Sequence, residues 1–495
     1  MAATTSTQLS MGEAFTYHAK RDPDRVAIVC GDESITRAEL EFQANRAARA
    51  FAELGVNHGD LVTIALPNSI DFYVAVVAAW KLGATPAPLS YRLPDIERNA
   101  ILDLAEPALV VGVDPSHVPG RPALAPGWQP SADLSHEPLP PAISPSWVAL
   151  TSGGSTGRPK VIVNSRPAMV DPAAPIVGMS VDGVQLVPGP LYHNGPFTFS
   201  CNGLFTGSTI VLMERFDAAA VLELVEKHCV DWVFAVPTML RRIWQLPPDV
   251  RERADLSSLR LIFSSGSPWP AWLKNDYINW LGPDRLLEMY GGTEGNGSTV
   301  ITGREALEHP GSVGKPLPGV GLRILDPETG DELPAGEVGE VYFLPPGGQG
   351  STYRYIGAQA KAREGWETLG DLGYVDAGGF LYLVDRRTDL VISGGANIYP
   401  AEVESALERH PHVRSAAVIG LPDDDLGHRV HAIVDIGAAP ENGVGHDDLR
   451  EHLREHLAPY KVPRTFEFVT NPLRDDAGKV RRSALREARI APTAR

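Results

Sequence analysis

Apolar and polar positions follow two rhythms along the first third of the chain. Thr36 and Glu39 form a capping box, and Leu40, Ala44, Ala47, Phe51 and Leu54 follow it at helical spacing. Gly55 stands where that helix should stop. Residues 61–66 form a short continuous apolar run, which predicts a buried strand. The helical period returns over 69–82, and 108–113 predicts a second strand. A β-α-β-α succession of this kind predicts a parallel sheet covered by helices.

Residues 114–145 are rich in proline and carry little periodicity, which predicts a long surface loop within the same unit. The rhythm resumes at Trp147, with strand-like runs at 209–213, 232–236 and 259–264. From Arg323 to Val384, short strands alternate with Gly, Pro and Asp turns, predicting a smaller β unit. After Asp389 comes a compact α+β module. It reads as strand 390–392, helix 401–409, strands 415–419 and 430–436, helix 447–457 and strand 465–469. The predicted organisation is an N-terminal α/β domain over 1–385, a hinge at 386–388 and a small α+β domain over 389–495.

Composition narrows the class. Hydrophobic residues make up 43% of the chain, enough for a large core. The net charge of −17 argues against a nucleic-acid or anionic-membrane surface, though a pocket on an acidic protein can still be basic. The longest apolar stretch, near 72–80, falls short of the ~20 residues that span a bilayer. The first ten residues lack the features of a secretory signal, and the last five carry no prenylation or peroxisomal tag. Cys30, Cys201 and Cys229 are far apart and form no CxxC pair. The expectation is a soluble cytoplasmic protein.

Chemistry concentrates in five segments. Thr151-Ser152-Gly153-Gly154-Ser155-Thr156-Gly157-Arg158-Pro159-Lys160 mixes glycines, hydroxyls and a lysine, the composition of a phosphate cradle. It is not a Walker A loop, since no Gly-Lys-Ser/Thr follows at the right spacing. Gly153 to Gly157 also fits the G-x-S-x-G nucleophile elbow, but an elbow leads into a helix and Val161-Ile162-Val163 reads as strand. Tyr290-Gly291-Gly292-Thr293-Glu294-Gly295 offers close backbone approach, a phosphate donor in Thr293 and an Mg²⁺ ligand in Glu294. His193 lies between Tyr192 and Gly195, in a stretch able to form a pocket wall. Asp371 suits ribose hydroxyls, and Ser393-Gly394-Gly395 suits a ligand passing close to backbone. Gly478 would present Lys479 on a tight turn. His452 and His456 match an H-x-x-E-H zinc pattern, but the apolar stripe Leu449, Leu453, Leu457 makes theirs a solvated helix face with no zinc expected.

Taken together and in order, these segments, with residues 311–316 and 458–463, resemble the adenylate-forming superfamily of acyl- and aryl-CoA synthetases, luciferases and nonribosomal adenylation domains. The resemblance covers residues 12 to 485. In wording, residues 151–160 and 190–197 are similar to bile-acid-type CoA ligases. The resemblance implies a large N-terminal domain, a small mobile C-terminal one, and two half-reactions in one site using ATP, Mg²⁺ and coenzyme A. It implies that Thr151 to Lys160 handle the ATP phosphates. Gly266, Ser267 and Pro268 with Glu288, Met289, Tyr290, Gly291 and Gly292 would line the adenine site. Thr293 would meet the α-phosphate, Glu294 the metal, and Asp371 and Arg386 the ribose. Lys479 would bridge the acyl carboxylate and α-phosphate, His193 would gate the acyl pocket, and Ser393, Gly394 and Gly395 would turn in for thioester formation.

Two positions depart from the family pattern. Val161 replaces the usual glycine after Lys160, and Thr388 stands where the hinge carries Asp or Lys. The second bears on thioester formation. The predicted partners are a carboxylic acid, ATP and CoA or a carrier-protein thiol, with a homodimer compatible. An adenylation-only enzyme is the alternative; a luciferase-like oxygenase has no positive sign, and a non-catalytic AMP binder would have little need for Lys479, Glu294 and Asp371 together. Gly292, Gly195 and Gly203, with Trp269 and Trp272 turned inward, predict space for a bulky cyclic acid, terpenoid, steroidal or aromatic.

Overall fold

The protein is described here by a computed structural model covering residues 8–153, 159–386, 388–423, 425–437, 444–475 and 478–490. Helix Arg37–Glu53 begins at the expected box: the Thr36 hydroxyl accepts from Glu39 N–H, and the Glu39 carboxylate accepts from Thr36 N–H. Leu40, Ala44, Ala47 and Phe51 are buried, while Leu54 lies past the helix end and is exposed. Helix Ile70–Lys81 is buried along almost its whole length because it lies between helices Met11–Arg21 and Arg37–Glu53 on one side and strands on the other.

Among the described residues, three sheets of three or more strands build the large unit, beside the two-stranded pair Leu9–Ser10 and Met169–Val170. Thr85–Pro88, Leu61–Ile64, Leu109–Val111 and Ala123–Leu124 run parallel side by side. The stretch expected to be all loop thus supplies a two-residue edge strand, too short to leave a period, and a single 3₁₀ turn at Pro115–His117. In the main sheet, Val26–Cys30, Thr209–Leu212, Val184–Val187, Trp232–Ala235, Leu261–Ser264 and Leu286–Gly291 are parallel neighbours. Beyond Leu286–Gly291 the sheet turns antiparallel through Ser298–Thr302 and Ser312–Pro316 into the strands Leu381–Arg386, Trp366–Val375, Gly339–Leu344 and Gly321–Leu325. The small β unit therefore has its own core of Val313, Ile324, Val341, Phe343 and Leu381, yet it joins the main sheet edge to edge.

The third sheet is antiparallel: Ala149–Gly153, Pro159–Asn164 and Tyr353–Ile356. A strand, not a helix, follows the Gly-Ser-Thr-Gly segment, which removes the nucleophile-elbow reading. After Val391–Ser393 the C-terminal unit buries a separate core around Val403, Leu407, Val418, Val434, Leu449 and Leu453. Its strands Ser415–Asp423, Gly427–Asp435 and Thr465–Val469 carry helices Pro400–Leu407, His446–His456 and Arg482–Ile490. Among the described residues, no helix is long and apolar enough to cross a membrane.

Candidate active site

Parallel strands all point their carboxyl ends at one edge of the sheet, so loops leaving them meet there. Gly266 follows strand Leu261–Ser264, Gly292, Thr293 and Glu294 follow Leu286–Gly291, and His193 follows Val184–Val187. Three segments distant in sequence converge in this way. His193 is the N-cap residue of helix Asn194–Phe205, its ring 4.6 Å from that of Tyr192, which in turn meets Tyr91 at 6.3 Å.

The first cluster joins the phosphate-loop lysine to the expected metal ligand. Lys160 Nζ donates to Glu294 Oε1 at 3.1 Å. It also donates to the Tyr355 hydroxyl at 2.9 Å, and the same hydroxyl donates to Glu294 Oε1 at 2.6 Å. Lys160 Nζ lies 4.2 Å from the centre of the Tyr355 ring, a cation–π distance. Burial pushes the Glu294 pKa up, but the Lys160 charge and the Tyr355 hydroxyl outweigh it and hold the carboxyl below its usual range. Glu294 is thus a buried carboxylate held in its anionic form, the kind of oxygen donor that would suit a hard divalent cation.

The second cluster suits a diol. The Tyr290 hydroxyl donates to Asp371 Oδ2 at 2.7 Å, and Arg386 Nε donates to Asp371 Oδ1 at 3.2 Å. Asp371 and Arg386 are register partners on adjacent strands, which is why residues fifteen apart in sequence meet. Asp371 first, with a desolvation effect opposing it, raises the Arg386 pKa. Burial first and then Asp371 push the Tyr290 hydroxyl well above its usual range, so it stays a donor.

Lys479 reaches this edge from the C-terminal unit. It keeps solvent access, yet the surrounding protein lowers its pKa by desolvation first and then through the Arg386 charge; Asp475 and Glu294 pull the other way. Its neighbour Gly478 has φ +76°, and a methyl group there would stand 2.6 Å from Thr238 Oγ1. A glycine is needed both for the turn and for seating this loop on helix Pro237–Trp244. On the same helix, Arg241 donates to the carbonyls of Glu408 and Val413 at 2.5 Å and of Arg414 at 2.8 Å. Its guanidinium also pairs with the Glu408 carboxylate at 3.4 Å.

Several expectations change. Glu288 is buried and paired with Lys274, so its side chain faces the interior and only its backbone can border an adenine site. Met289 packs against the core of the main sheet. The three glycines do not leave open space. A methyl group on Gly195 would overlap the Phe234 ring, one on Gly203 would overlap Gln185, and one on Gly292 would overlap Leu369 and come within 2.8 Å of Glu294 Oε2. Each is small because something already packs against it. Trp269 is buried against Tyr277 in the core, and Trp272 packs at its margin. Gly154, Ser155, Thr156 and Gly157 lie outside the described residues, as does the side chain of Ser152; Thr151 ends up in strand Ala149–Gly153. Ser393, Gly394 and Gly395 form the turn between Val391–Ser393 and Ala396–Ile398, with Gly394 N–H donating to Leu426 O. His452 Nε2 meets Ala406 O on the neighbouring helix Pro400–Leu407 at 2.9 Å, so this histidine is half-buried in a helix–helix contact and not on a solvated face, whereas exposed His456 Nδ1 meets His452 O one turn back at 2.9 Å. Tyr355 and Arg241 were not singled out in the sequence. The one local signal for Tyr355 is the spacing Tyr353-Arg354-Tyr355, which puts both rings on one face of a strand.

The chain matches the family model of the AMP-binding enzymes over residues 15–349 and that of the AMP-binding enzyme C-terminal domain over 402–479. It is 34% identical over 490 residues to a feruloyl-CoA synthase of Amycolatopsis sp., covering 94% of this chain and 96% of that protein. It is 31% identical over 482 residues to a 2-succinylbenzoate–CoA ligase of Bacillus licheniformis, covering 94% and 98%. Among solved structures, the o-succinylbenzoate coenzyme A synthetase from Bacillus subtilis in complex with ATP and magnesium superposes with a TM-score of 0.80 at 27% identity, covering 97% of this chain and 100% of that one. The chain belongs to the AMP-binding enzymes, the adenylate-forming superfamily that includes the AMP-forming acyl- and aryl-CoA synthetases with their ATP, Mg²⁺ and coenzyme A.

Proposed function

We propose that this protein activates an aromatic or other bulky cyclic carboxylic acid with ATP, releasing pyrophosphate, and passes the acyl group to coenzyme A. The observation that carries the reading is the convergence of Lys160, Glu294, the Tyr290–Asp371–Arg386 cluster and Lys479 at one edge of the sheet. A carboxylate is a poor electrophile because substitution would expel oxide. Its oxygen attacks the α-phosphorus of ATP and pyrophosphate leaves. The mixed anhydride so formed is then attacked by the CoA thiolate at the acyl carbon, and AMP leaves.

No protein nucleophile is required. What the chain supplies is charge and position. The first step brings two anions together, and Lys479 and Lys160 neutralise charge where it develops. Glu294 would hold Mg²⁺, which when bound screens the phosphate oxygens. Asp371, positioned by Tyr290 and Arg386, accepts from the ribose hydroxyls. Thr293 donates to the α-phosphate, and His193 with Tyr192 borders the acyl side. Residues 386–388 serve as the hinge between the half-reactions, and Ser393 to Gly395 meet CoA in the second.

The acid class draws support from the feruloyl and succinylbenzoate relatives, not from the glycines, which are filled by neighbours. Thr388 at the hinge favours a second reading, in which the chain stops at acyl-AMP or loads a carrier-protein thiol. The free cysteines Cys30, Cys201 and Cys229 suit the reducing cytoplasm. A carboxylic-acid panel in an ATP–pyrophosphate exchange assay, with and without CoA, tests both. Exchange with an aryl acid plus CoA-dependent thioester formation is expected. Exchange unaccompanied by thioester selects the second reading, and preference for acetate or butyrate over every cyclic acid overturns the acid class.

A further inference from the structure

The hydrogen bonds at Glu294 are unevenly shared. Both the Lys160 ammonium and the Tyr355 hydroxyl bond to Oε1. A tyrosine hydroxyl has one proton, so donating it to Glu294 makes the same oxygen the acceptor for Lys160.

The backbone behind this hydroxyl is stiff. Tyr355 pairs in register with Ile162 and Ile356 with Val161, on the strand that carries Lys160. Its neighbour on the same face, Tyr353, is buried and packs edge-on at 4.9 Å between ring centres. The ring cannot swing away without breaking that packing, and its face already carries the ammonium.

We propose that Tyr355 is the positioning residue of the nucleotide site: its hydroxyl pins Glu294 through one oxygen, turning the other toward a divalent cation, while its ring holds Lys160 within reach of the phosphates. The inference rests on the ligase reading, in which Glu294 holds the metal and Lys160 the phosphates. It adds a physical requirement. In the Lys160–Glu294 ion pair each group neutralises the other, and binding of the metal and the phosphates must separate them. Tyr355 contacts both, so it keeps Glu294 oriented and Lys160 close after the direct pair opens.

Tyr355→Phe keeps the ring, and with it the packing and the cation–π contact, and removes only the hydroxyl. Binding is read without chemistry, as the ATP-induced rise in melting temperature over an Mg²⁺ titration with no acid present. The variant should melt with the wild type when ligand-free. Its half-saturating Mg²⁺ concentration should rise about tenfold, the scale of a lost hydrogen bond to a charged group. Pyrophosphate exchange should lose kcat with little change in the KM of the acid. In the Glu294→Gln background the same substitution should add almost nothing, because its target is gone. A titration that superimposes on the wild type overturns the inference, as does full additivity with Glu294→Gln. Should the wild type itself show no Mg²⁺-dependent response to ATP, the ligase reading falls and this inference with it.

Discussion

Two lysine–glutamate pairs, made of the same charges, do opposite things. Lys81 and Glu41 meet at 2.8 Å between the helices of the large unit, with side-chain exposures of 4% and 2%. Lys81 also donates to Gly12 O and to the Thr16 hydroxyl, both at 3.3 Å, and Glu41 accepts from Thr16 at 2.7 Å and Asn45 at 3.0 Å. That pair is closed: both side chains are buried, and it ties three helices together. Lys160 and Glu294 meet at 3.1 Å with exposures of 20% and 8%, at the strand ends. Their additional contact is a tyrosine whose hydroxyl meets both partners and whose ring meets Lys160. The difference lies in what completes the coordination. Burial among backbone and side-chain partners makes an ion pair structural, whereas a solvent-facing remainder leaves it available to a ligand.

The sharpest way to break this comparison is to remove the closed pair. Lys81→Met leaves Glu41 buried without its cation and should cost about 3–5 kcal/mol of stability. Exchange activity per folded molecule should be unchanged; a kinetic defect without a melting-temperature loss would erase the distinction. Lys479→Ala is the mirror image. Losing one well-placed charge donor should slow pyrophosphate exchange about 10²–10³-fold, with calorimetry showing no loss of stability. Wild-type exchange in that variant removes Lys479 from the mechanism.

Arg241 extends the comparison to the seam between the two units, where both terminal nitrogens of a guanidinium donate to carbonyls of the C-terminal unit. Arg241→Ala should loosen that seating about tenfold or more, the scale of charged hydrogen bonds. Faster proteolysis near residue 388 and slower exchange are the expected readouts, and neither changing would make the seam incidental. Gly292→Ala sharpens the site side. The added methyl presses on Leu369 and Glu294, overpacking worth about 1–3 kcal/mol. Exchange should fall for small and bulky acids alike, and selective loss of the bulky acid would restore the pocket reading of this glycine.

The smallest expected effect concerns Asp385, whose carboxylate accepts from Ala401 N–H at the start of helix Pro400–Leu407. Burial raises its pKa to about 6, from an ordinary value of 3.8. A raised carboxyl pKa means that the folded state binds the proton more tightly than the unfolded one. That stabilisation is present at low pH and is lost as pH rises from about 4 through 6. Asp385→Asn cannot ionise, so its melting temperature relative to wild type should climb across that window. A flat difference would place Asp385 outside the folding linkage.

Local order was legible in the chain. The Thr36–Glu39 box, the helix ending before Gly55 and the β-α-β-α succession depend on neighbours within a few residues, and each element formed where period and cap agree. Most of the small unit's strands and helices were legible for the same reason, but the short strand Ala396–Ile398 and the terminal helix Arg482–Ile490 were not expected. Runs of glycines, hydroxyls and charges were visible too, because residues gathered in short runs keep their order in any fold. Tertiary structure alone decided which partner each residue meets. Glu288 and Tyr290 are two apart on one strand, yet one pairs with Lys274 inside and the other with Asp371 at the site. Gly195, Gly203 and Gly292 look like room in a sequence and are filled by Phe234, Gln185 and Leu369 in the fold. Tyr355 carries no motif, and its position follows from a strand register that joins residues 159–164 to 353–356. Sequence period and caps report interactions over a few residues, whereas ion-pair partners, filled space and register are set by chain segments brought together only when the core closes.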